Sequence, residues 1–241
     1  MMQELYSGLN KKNDSKALVL FSSGLDSVYN LLKTKKEFKQ VTALFFDYGQ
    51  KAASQEYIHV KKICSKIKTD LIRIDLPWYK ELNSSLLNFS SRVAKFADAH
   101  EADLSKSVSE WVPNRNGVFV SIAGAVAESN NIGTIVIGLN KEEAERYPDN
   151  SKDFLEKSKS VLQISTLSKP TLVSFSIDMD KQQIVSELYP LMKEFLLSPN
   201  FVWSCYESFE KMCGSCESCV RLKRAVSKNM VENEWKELFL K

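Results

Sequence analysis

The chain reads as short apolar runs separated by longer amphipathic stretches. Ala17–Phe21 (ALVLF) is continuously apolar and has the length of a strand buried on both faces. The same signature returns at Val41–Phe46 (VTALFF), Leu71–Asp75 (LIRID), Thr134–Gly138 (TIVIG) and near Thr171–Ser176. Between these runs, apolar residues three and four apart predict helices after Ser27 (VYNLLK), over about Ala53–Lys68, from Asn116 to about Asn130, around Asp153–Gln163 and from Lys181 to about Phe195. Two more helices are expected at about 217–230 and 232–239. Residues 1–15 are polar and aperiodic and read as a mobile leader. Residues 77–112 are polar and mixed, with helical pieces whose order the pattern does not give. No internal repeat is visible.

Strands alternating with helices predict an α/β fold, a parallel sheet with helices on both faces of Rossmann-like kind, over residues 16–200. Residues 201–241 are expected to form a small C-terminal appendage. Ligands of such sheets bind beyond the carboxyl ends of the strands. That rule directs attention to three turns, residues 22–27, 47–52 and 138–149.

Composition narrows the class. The 241 residues are 44% apolar and 26% charged, with 8 Gly and 6 Pro, which excludes a disordered, collagenous or low-complexity chain. Lys plus Arg is 33 and Asp plus Glu is 30, a net charge of +3, too balanced for a nucleic-acid coat or a membrane-surface protein. No apolar run reaches the roughly 18 residues of a spanning helix. The N-terminus lacks the apolar core of a signal peptide. A cytoplasmic location, where thiols stay reduced, is therefore expected.

Phe21-Ser22-Ser23-Gly24-Leu25-Asp26-Ser27 lies between a buried strand and a helix. Small residues let backbone N–H groups approach phosphate oxygens, and a helix N-terminus adds positive potential. Ser22, Ser23 and Ser27 offer hydroxyl donors. The spacing is neither the Walker pattern nor G-x-G-x-x-G. The plain alternative is a turn whose Ser and Asp cap the helix.

Four of the five cysteines, Cys205, Cys213, Cys216 and Cys219, follow C-x7-C-x2-C-x2-C. In a reducing compartment such a cluster reads as a metal site. Four thiolates close a tetrahedral shell and leave no open position, the pattern of a structural Zn2+ that staples a small loop. Gly214 permits the tight turn between ligands. An iron–sulfur cluster or free redox cysteines are the other readings of four such residues. Cys64 stands apart and reads as a buried small hydrophobe. His59 is expected on a helix surface, Phe119 and Trp235 in packing, and Arg221, Lys223, Arg224 and Lys228 on a solvated helix face.

Loop and cysteine motif together resemble the 7-cyano-7-deazaguanine synthase (QueC) family of ATP pyrophosphatases. SSGLDS is similar to their SGGxDS loop, with Ser23 in place of the first glycine. Asp47-Tyr48-Gly49-Gln50, Val112-Pro113-Asn114-Arg115-Asn116, Ile137-Gly138-Leu139-Asn140, Tyr147-Pro148-Asp149 and Ile177–Lys181 resemble further family segments. The likeness spans residues 17–226 and implies an adenine nucleotide α-hydrolase-like fold. It also implies a reaction, in which ATP adenylates 7-carboxy-7-deazaguanine and ammonia converts it to the amide and then the nitrile, releasing AMP and pyrophosphate.

On that resemblance, Phe21, Ser22, Ser23, Gly24, Leu25, Asp26 and Ser27 would hold the pyrophosphate of ATP, with Asp26 and Ser27 catalytic. Lys181, opening a helix behind Asp180, would reach the α-phosphate. Gly138 would let AMP approach the sheet edge. Arg115, Asn116, Tyr147 and Asp149 would bind the acid, with Asp149 a candidate for Mg2+ or for the guanine-like edge. The partners implied are the small deazaguanine acid, ATP and ammonia, with a homodimer as the assembly and neither membrane nor nucleic acid involved. The sequence departs from the family at Lys51-Ala52 (Arg-His), at Gln55, with Glu56 beside it (Glu), and at Asn150-Ser151, where a cysteine and a following arginine are missing. These departures raise a divergent enzyme that joins the acid to another amine or a protein terminus. A tRNA-modifying pyrophosphatase, whose sulfur relay only Cys64 could supply, and a non-catalytic zinc binding module are further readings.

Overall fold

The structure is a computed structural model that describes residues 16–87, 90–98, 100–101 and 110–240; the expected leader 1–15 lies outside the described residues. Five strands form one all-parallel sheet in the order β3-β2-β1-β4-β5. They are β1 (Lys16–Leu20), β2 (Gln40–Asp47), β3 (Asp70–Asp75), β4 (Thr134–Val136) and β5 (Thr171–Val173). β1 is central, pairing Leu20 with Leu44 of β2 and Val19 with Val136 of β4. Its residues 17–20 and all of β4 are buried, as a strand covered on both faces requires. The edge strand β3 is half exposed and correspondingly less apolar.

Helices α1 (Leu25–Glu37), α2 (Ala53–Lys66), α3 (Arg115–Ser129), α5 (Lys152–Ser165) and α6 (Lys181–Glu194) follow the expected order. α1 packs on α6, and α3 on α5, so both faces are covered. Local chemistry sets several starts. Asp180 caps α6 through a reciprocal capping box with Gln183, and Ser151 caps α5 by accepting from Phe154 N–H. Between β3 and α3 the described residues include a 3-10 turn at Pro77–Glu81.

The differences from the sequence expectation are small and local. Strands β4 and β5 end two and three residues early, because the chain turns there to form the rim of the crevice. A four-residue helix, α4 (Lys141–Ala144), and the 3-10 turns Pro148–Asn150 and Pro199–Phe201 are too short to show a period. The C-terminal residues form α7 (Glu217–Lys228), α8 (Glu232–Trp235) and a 3-10 turn at Lys236–Leu238 instead of two full helices.

The order 3-2-1-4-5 makes the chain reverse direction between β1 and β4. The carboxyl ends of these two strands therefore diverge and leave a crevice, with Phe21–Ser27 on one side and Gly138 on the other.

Candidate active site

A cavity of about 200 Å3 occupies this crevice. The first turn of α1 supplies its floor. A helix leaves its first N–H groups without intrahelical partners, so those of Asp26 and Ser27 are available to an anion. The loop is pinned from within: Ser27 Oγ donates to Gly24 C=O at 2.9 Å and accepts from Ser22 N–H at 3.3 Å. Phe21, Ser22, Gly24, Leu25, Asp26 and Ser27 all line the cavity.

Ser23 does not line it. The residue is fully buried with φ of 65°, and its hydroxyl donates to Glu56 C=O at 3.4 Å. The third hydroxyl expected to face phosphate is thus turned into the protein. Gly138 lines the cavity and also has a structural reason to be glycine. A Cβ there would lie 3.1 Å from both Asp26 C and Ser27 N, so the glycine makes room for the loop backbone.

Asp26 and Lys181, given separate roles by the sequence, meet in the structure. Lys181, the first residue of α6, places Nζ 3.0 Å from Asp26 Oδ2 and 2.9 Å from Glu143 Oε1. Asn140 Nδ2 donates to the same Asp26 oxygen at 3.0 Å. Burial works against the charge on Lys181, but the two carboxylates outweigh it and hold its pKa above the ordinary lysine value. Burial would likewise raise Glu143, yet Lys181 and Asn140 hold it down to about 2. Asp26 is raised by burial, with Lys181 opposing. Its second oxygen, Oδ1, is buried and has no partner among the described residues. An orphaned carboxylate oxygen beside a phosphate-binding loop fits a hard divalent cation such as Mg2+.

Arg115 and Asn116 also line the cavity. Arg115 opens α3, and its guanidinium donates to Tyr48 OH at 3.4 Å. No carboxylate lies within ion-pair distance of it among the described residues. Burial opposes its charge, and Tyr48 and Asp149 more than restore it. Asp149 and Tyr147 do not line the main cavity but a narrow recess beside it. Both oxygens of Asp149 are engaged, Oδ2 by Asn116 N–H at 3.2 Å and Oδ1 by Asn150 Nδ2 at 3.0 Å. Tyr147 stacks on Trp111. The recess shares Arg115, Glu143 and Asn150 with the main cavity, and Asp149 also holds Asn116 in place.

The remaining wall is aromatic. Phe46 and Phe119 stack with ring centroids 4.2 Å apart, and Tyr48 packs edge-on against Phe119. Phe119 is thus more than packing. Of the residues that depart from the family pattern, Lys51, Ala52 and Asn150 line the cavity. The Lys51 ammonium is bonded to Ser91 C=O. Ser151 instead caps α5.

The four cysteines converge, their sulfur atoms all within 4.8 Å of one another, as ligands of one metal ion would be. Backbone N–H groups of Glu207 and Cys213 point at Cys205 Sγ, and those of Ser215 and Cys216 at Cys213 Sγ. Donors aimed at sulfur favour thiolates. Gly214 has φ of 76°, the left-handed turn the spacing predicts. Trp203 N–H donates to Ser23 C=O at 3.0 Å and Ser204 Oγ accepts from Leu25 N–H at 3.2 Å, so the cysteine segment also braces the phosphate loop.

Two other expectations change and one holds. His59 is buried against Trp203, because its helix face packs under the C-terminal segment. Arg221 is buried in a network with Glu217 and Glu142, which Arg146 and Arg224 join, while Lys223 and Lys228 stay on the exposed face as expected. Cys64 is buried as expected, its thiol pushed up to about 12 by burial, and it does not reach the cavity. Glu143 and Trp203 carry no signal in the sequence, and Asn140, Glu56, Ser204 and Tyr206 enter only as neighbours within motifs, without a role. Glu143 and Asn140 sit in the turn 138–149 already marked by topology, and Trp203, Ser204 and Tyr206 flank Cys205.

A phosphate loop at the switch point of an all-parallel 3-2-1-4-5 sheet, closed by a lysine from a later helix, defines the class of PP-loop ATP pyrophosphatases. A family model described as "Queuosine biosynthesis protein QueC" matches residues 16–230, and the chain belongs to that family. It is 41% identical over 213 residues to a 7-cyano-7-deazaguanine synthase of Carboxydothermus hydrogenoformans, covering 87% of this chain and 97% of that protein. It is 36% identical over 220 residues to a 7-cyano-7-deazaguanine synthase of Bdellovibrio bacteriovorus, covering 89% of this chain and 94% of the relative. Among solved structures, a U34-tRNA thiolase NcsA from Methanococcus maripaludis with its [4Fe-4S] cluster is similar at TM-score 0.49 and 13% identity, over 98% of this chain and 77% of that one.

Proposed function

We propose that this protein is an ATP-dependent carbon–nitrogen ligase that adenylates the carboxylate of 7-carboxy-7-deazaguanine. Ammonia displaces AMP to give the amide, and a second activation removes the amide oxygen to give the nitrile. The observation that carries the reading is Arg115, a half-buried guanidinium without an ion-pair partner among the described residues, in the wall of the cavity that holds the phosphate loop. A cavity-lining cation without a carboxylate partner calls for an anionic ligand, and a planar fork suits a carboxylate. A carboxylate oxygen is a poor leaving group and AMP a good one, so the chemistry needs both anions in one cavity.

Roles follow from position. The N–H groups of Gly24, Asp26 and Ser27, with the Ser22 hydroxyl, bind the pyrophosphate, while Leu25 N–H and the Ser27 hydroxyl hold the loop in shape through Ser204 Oγ and Gly24 C=O. Phe21, Ser23 and Gly138 shape the loop behind them. Lys181 offsets charge at the α-phosphate. Arg115 and Asn116 hold the acid, Phe46 and Phe119 offer a flat surface to a ring, and Tyr147 and Asp149 support that wall. Asp26 would hold Mg2+, which supplies charge neutralisation to the phosphates when bound. The four cysteines would hold a structural Zn2+. The working location is the cytoplasm and the working assembly a homodimer; no helix among the described residues is long and apolar enough to cross a membrane.

Incubation with ATP, ammonium and 7-carboxy-7-deazaguanine tests the reading. AMP, pyrophosphate and a mass change from carboxyl to nitrile are expected, and absence of AMP release overturns it. Lys51, Ala52 and Asn150 in the cavity wall favour a second reading, in which the product is the amide or an adduct with another amine. AMP release with such an end product distinguishes it.

A further inference from the structure

We propose that Glu56 is the general base of the amination half-reaction, its free carboxylate oxygen taking the proton that the incoming nitrogen sheds. This rests on the carboxylate-activation reading above. In the step, the nitrogen lone pair forms the N–C bond at the acyl carbon and the C–O bond to AMP breaks. The electron pair leaves on AMP, and one N–H proton passes to Glu56.

Three observations single out this residue. Glu56 lies in the first turn of α2 and lines the cavity together with Asp26, Arg115 and Lys181. It is the one carboxyl among the described cavity-lining residues with no cation within ion-pair distance, since Asp26 and Glu143 are both tied to Lys181. It is also held in place. Gln50 Nε2 donates to its Oε2 at 2.7 Å, while Gln50 Oε1 accepts from Tyr48 N–H at 3.0 Å. Oε1 has no protein partner among the described residues and is left for a ligand. A base tied to a lysine would have to give up that ion pair on protonation, and Glu56 does not.

The electrostatics agree. Burial pushes Glu56 up to about 7. The groups facing it are Gln50 and Arg115, which lower it, Asp47, which raises it, and the Tyr48 hydroxyl beside Arg115. A base near the working pH is ionised in a useful fraction and still accepts a proton readily. The acidic position of the family pattern is Gln55 in this sequence, and Gln55 does not line the cavity. Its neighbour provides the carboxyl instead.

The test separates the two half-reactions in the Glu56→Gln variant, which keeps the shape and the Gln50 contact. Acid-dependent ATP–pyrophosphate exchange is expected within about threefold of the parent, and amide formation from ammonium about 10²–10⁴-fold slower. Hydroxylamine, a weaker base whose adduct nitrogen gives up its proton to water more readily than the ammonia adduct does, is expected to restore acyl transfer to within about tenfold of the parent. With free ammonia held constant across the series, the rise of the parent's amination rate through about pH 7 should vanish in the variant. Three results would overturn the proposal: amination at the parent rate, exchange lost by the same factor as amination, or hydroxylamine no better than ammonium. A parent that exchanges no pyrophosphate with this acid removes the activation reading and this proposal with it. A parent that exchanges, beside a variant that aminates normally, removes this proposal alone.

Discussion

Lys181 Nζ lies 3.0 Å from Asp26 Oδ2 across 155 residues of sequence, joining the first turn of α6 to the first turn of α1 over the crevice. The same nitrogen reaches Glu143. Lys181→Met leaves two partly buried carboxylates near each other without the buried cation that joins them. A loss of about 3–5 kcal/mol in stability is expected, as for breaking one side of a buried pair. The pH dependence carries a sign. Glu143 sits at about 2 against an ordinary 4.5, so its contribution is complete above about pH 4.5 and is lost as pH falls toward 2. Lys181 is raised above 10.5, so its contribution is complete below that value and is lost as pH rises through the elevated one. Denaturant melts of the variant across this range should lack both limbs, and unchanged limbs would show that the ion pairs do not form in solution.

Ser23 pays for its place in the loop. Its φ of 65° belongs to the left-handed region, which costs a residue with a Cβ about 1–2 kcal/mol. Ser23→Gly removes that strain together with one long hydrogen bond to Glu56 C=O. The net expectation is a gain of about 1 kcal/mol, or roughly 2–4 °C in Tm for a chain of this length. Calorimetry that finds the glycine variant less stable would mean that the hydroxyl contact outweighs the strain.

The sheet and the loop were legible because their signals are local and strong: buried parallel strands are continuously apolar, and phosphate loops need small residues at fixed spacing. The cysteine cluster was legible for the same reason. The side chains that complete the site were harder to read. Glu143 acts through Lys181, 38 residues later, and nothing in KEEAER distinguishes it from the neighbouring acids. Glu142, the residue before it, points to Arg221 and Arg224 instead. Arg115 and Asn116 were visible as a helix start, but only packing shows that one faces the cavity without an ion pair while the other is held by Asp149. The motif suggested that Asp149 and Tyr147 touch the ligand, and the fold sets both on a recess beside the cavity, where Asp149 also holds Asn116.

The metal segment and the phosphate loop are mechanically joined. Leu25 N–H is bonded to Ser204 Oγ, and Trp203 N–H to Ser23 C=O, directly before Cys205. Ser204→Ala removes one neutral hydrogen bond, worth about 1 kcal/mol, and should weaken ATP about fivefold with metal content unchanged. Removal of the metal by a chelator frees both contacts and should weaken ATP further. Titration calorimetry beside metal analysis checks both statements. A chelated protein that binds ATP like the parent would show that the loop stands without its brace.

Glu56 should be visible in stability as well as in catalysis. Its folded value of about 7 lies above the ordinary 4.5, so the unfolded chain gives up this proton first as pH rises. Stability from this group is therefore complete below about pH 4.5 and declines as pH climbs to about 7, by on the order of 3 kcal/mol at most. Glu56→Gln keeps the Gln50 contact and has no proton to lose, so its melts should be flatter over this window and the variant should exceed the parent at pH 8. Bound substrates must be absent, since a ligand that engages Oε1 would shift the group again. If parent and variant lose stability in parallel between pH 4.5 and 7, Glu56 is ionised at its ordinary value, and a carboxyl that is already fully ionised at neutral pH is a weaker base than the amination step requires.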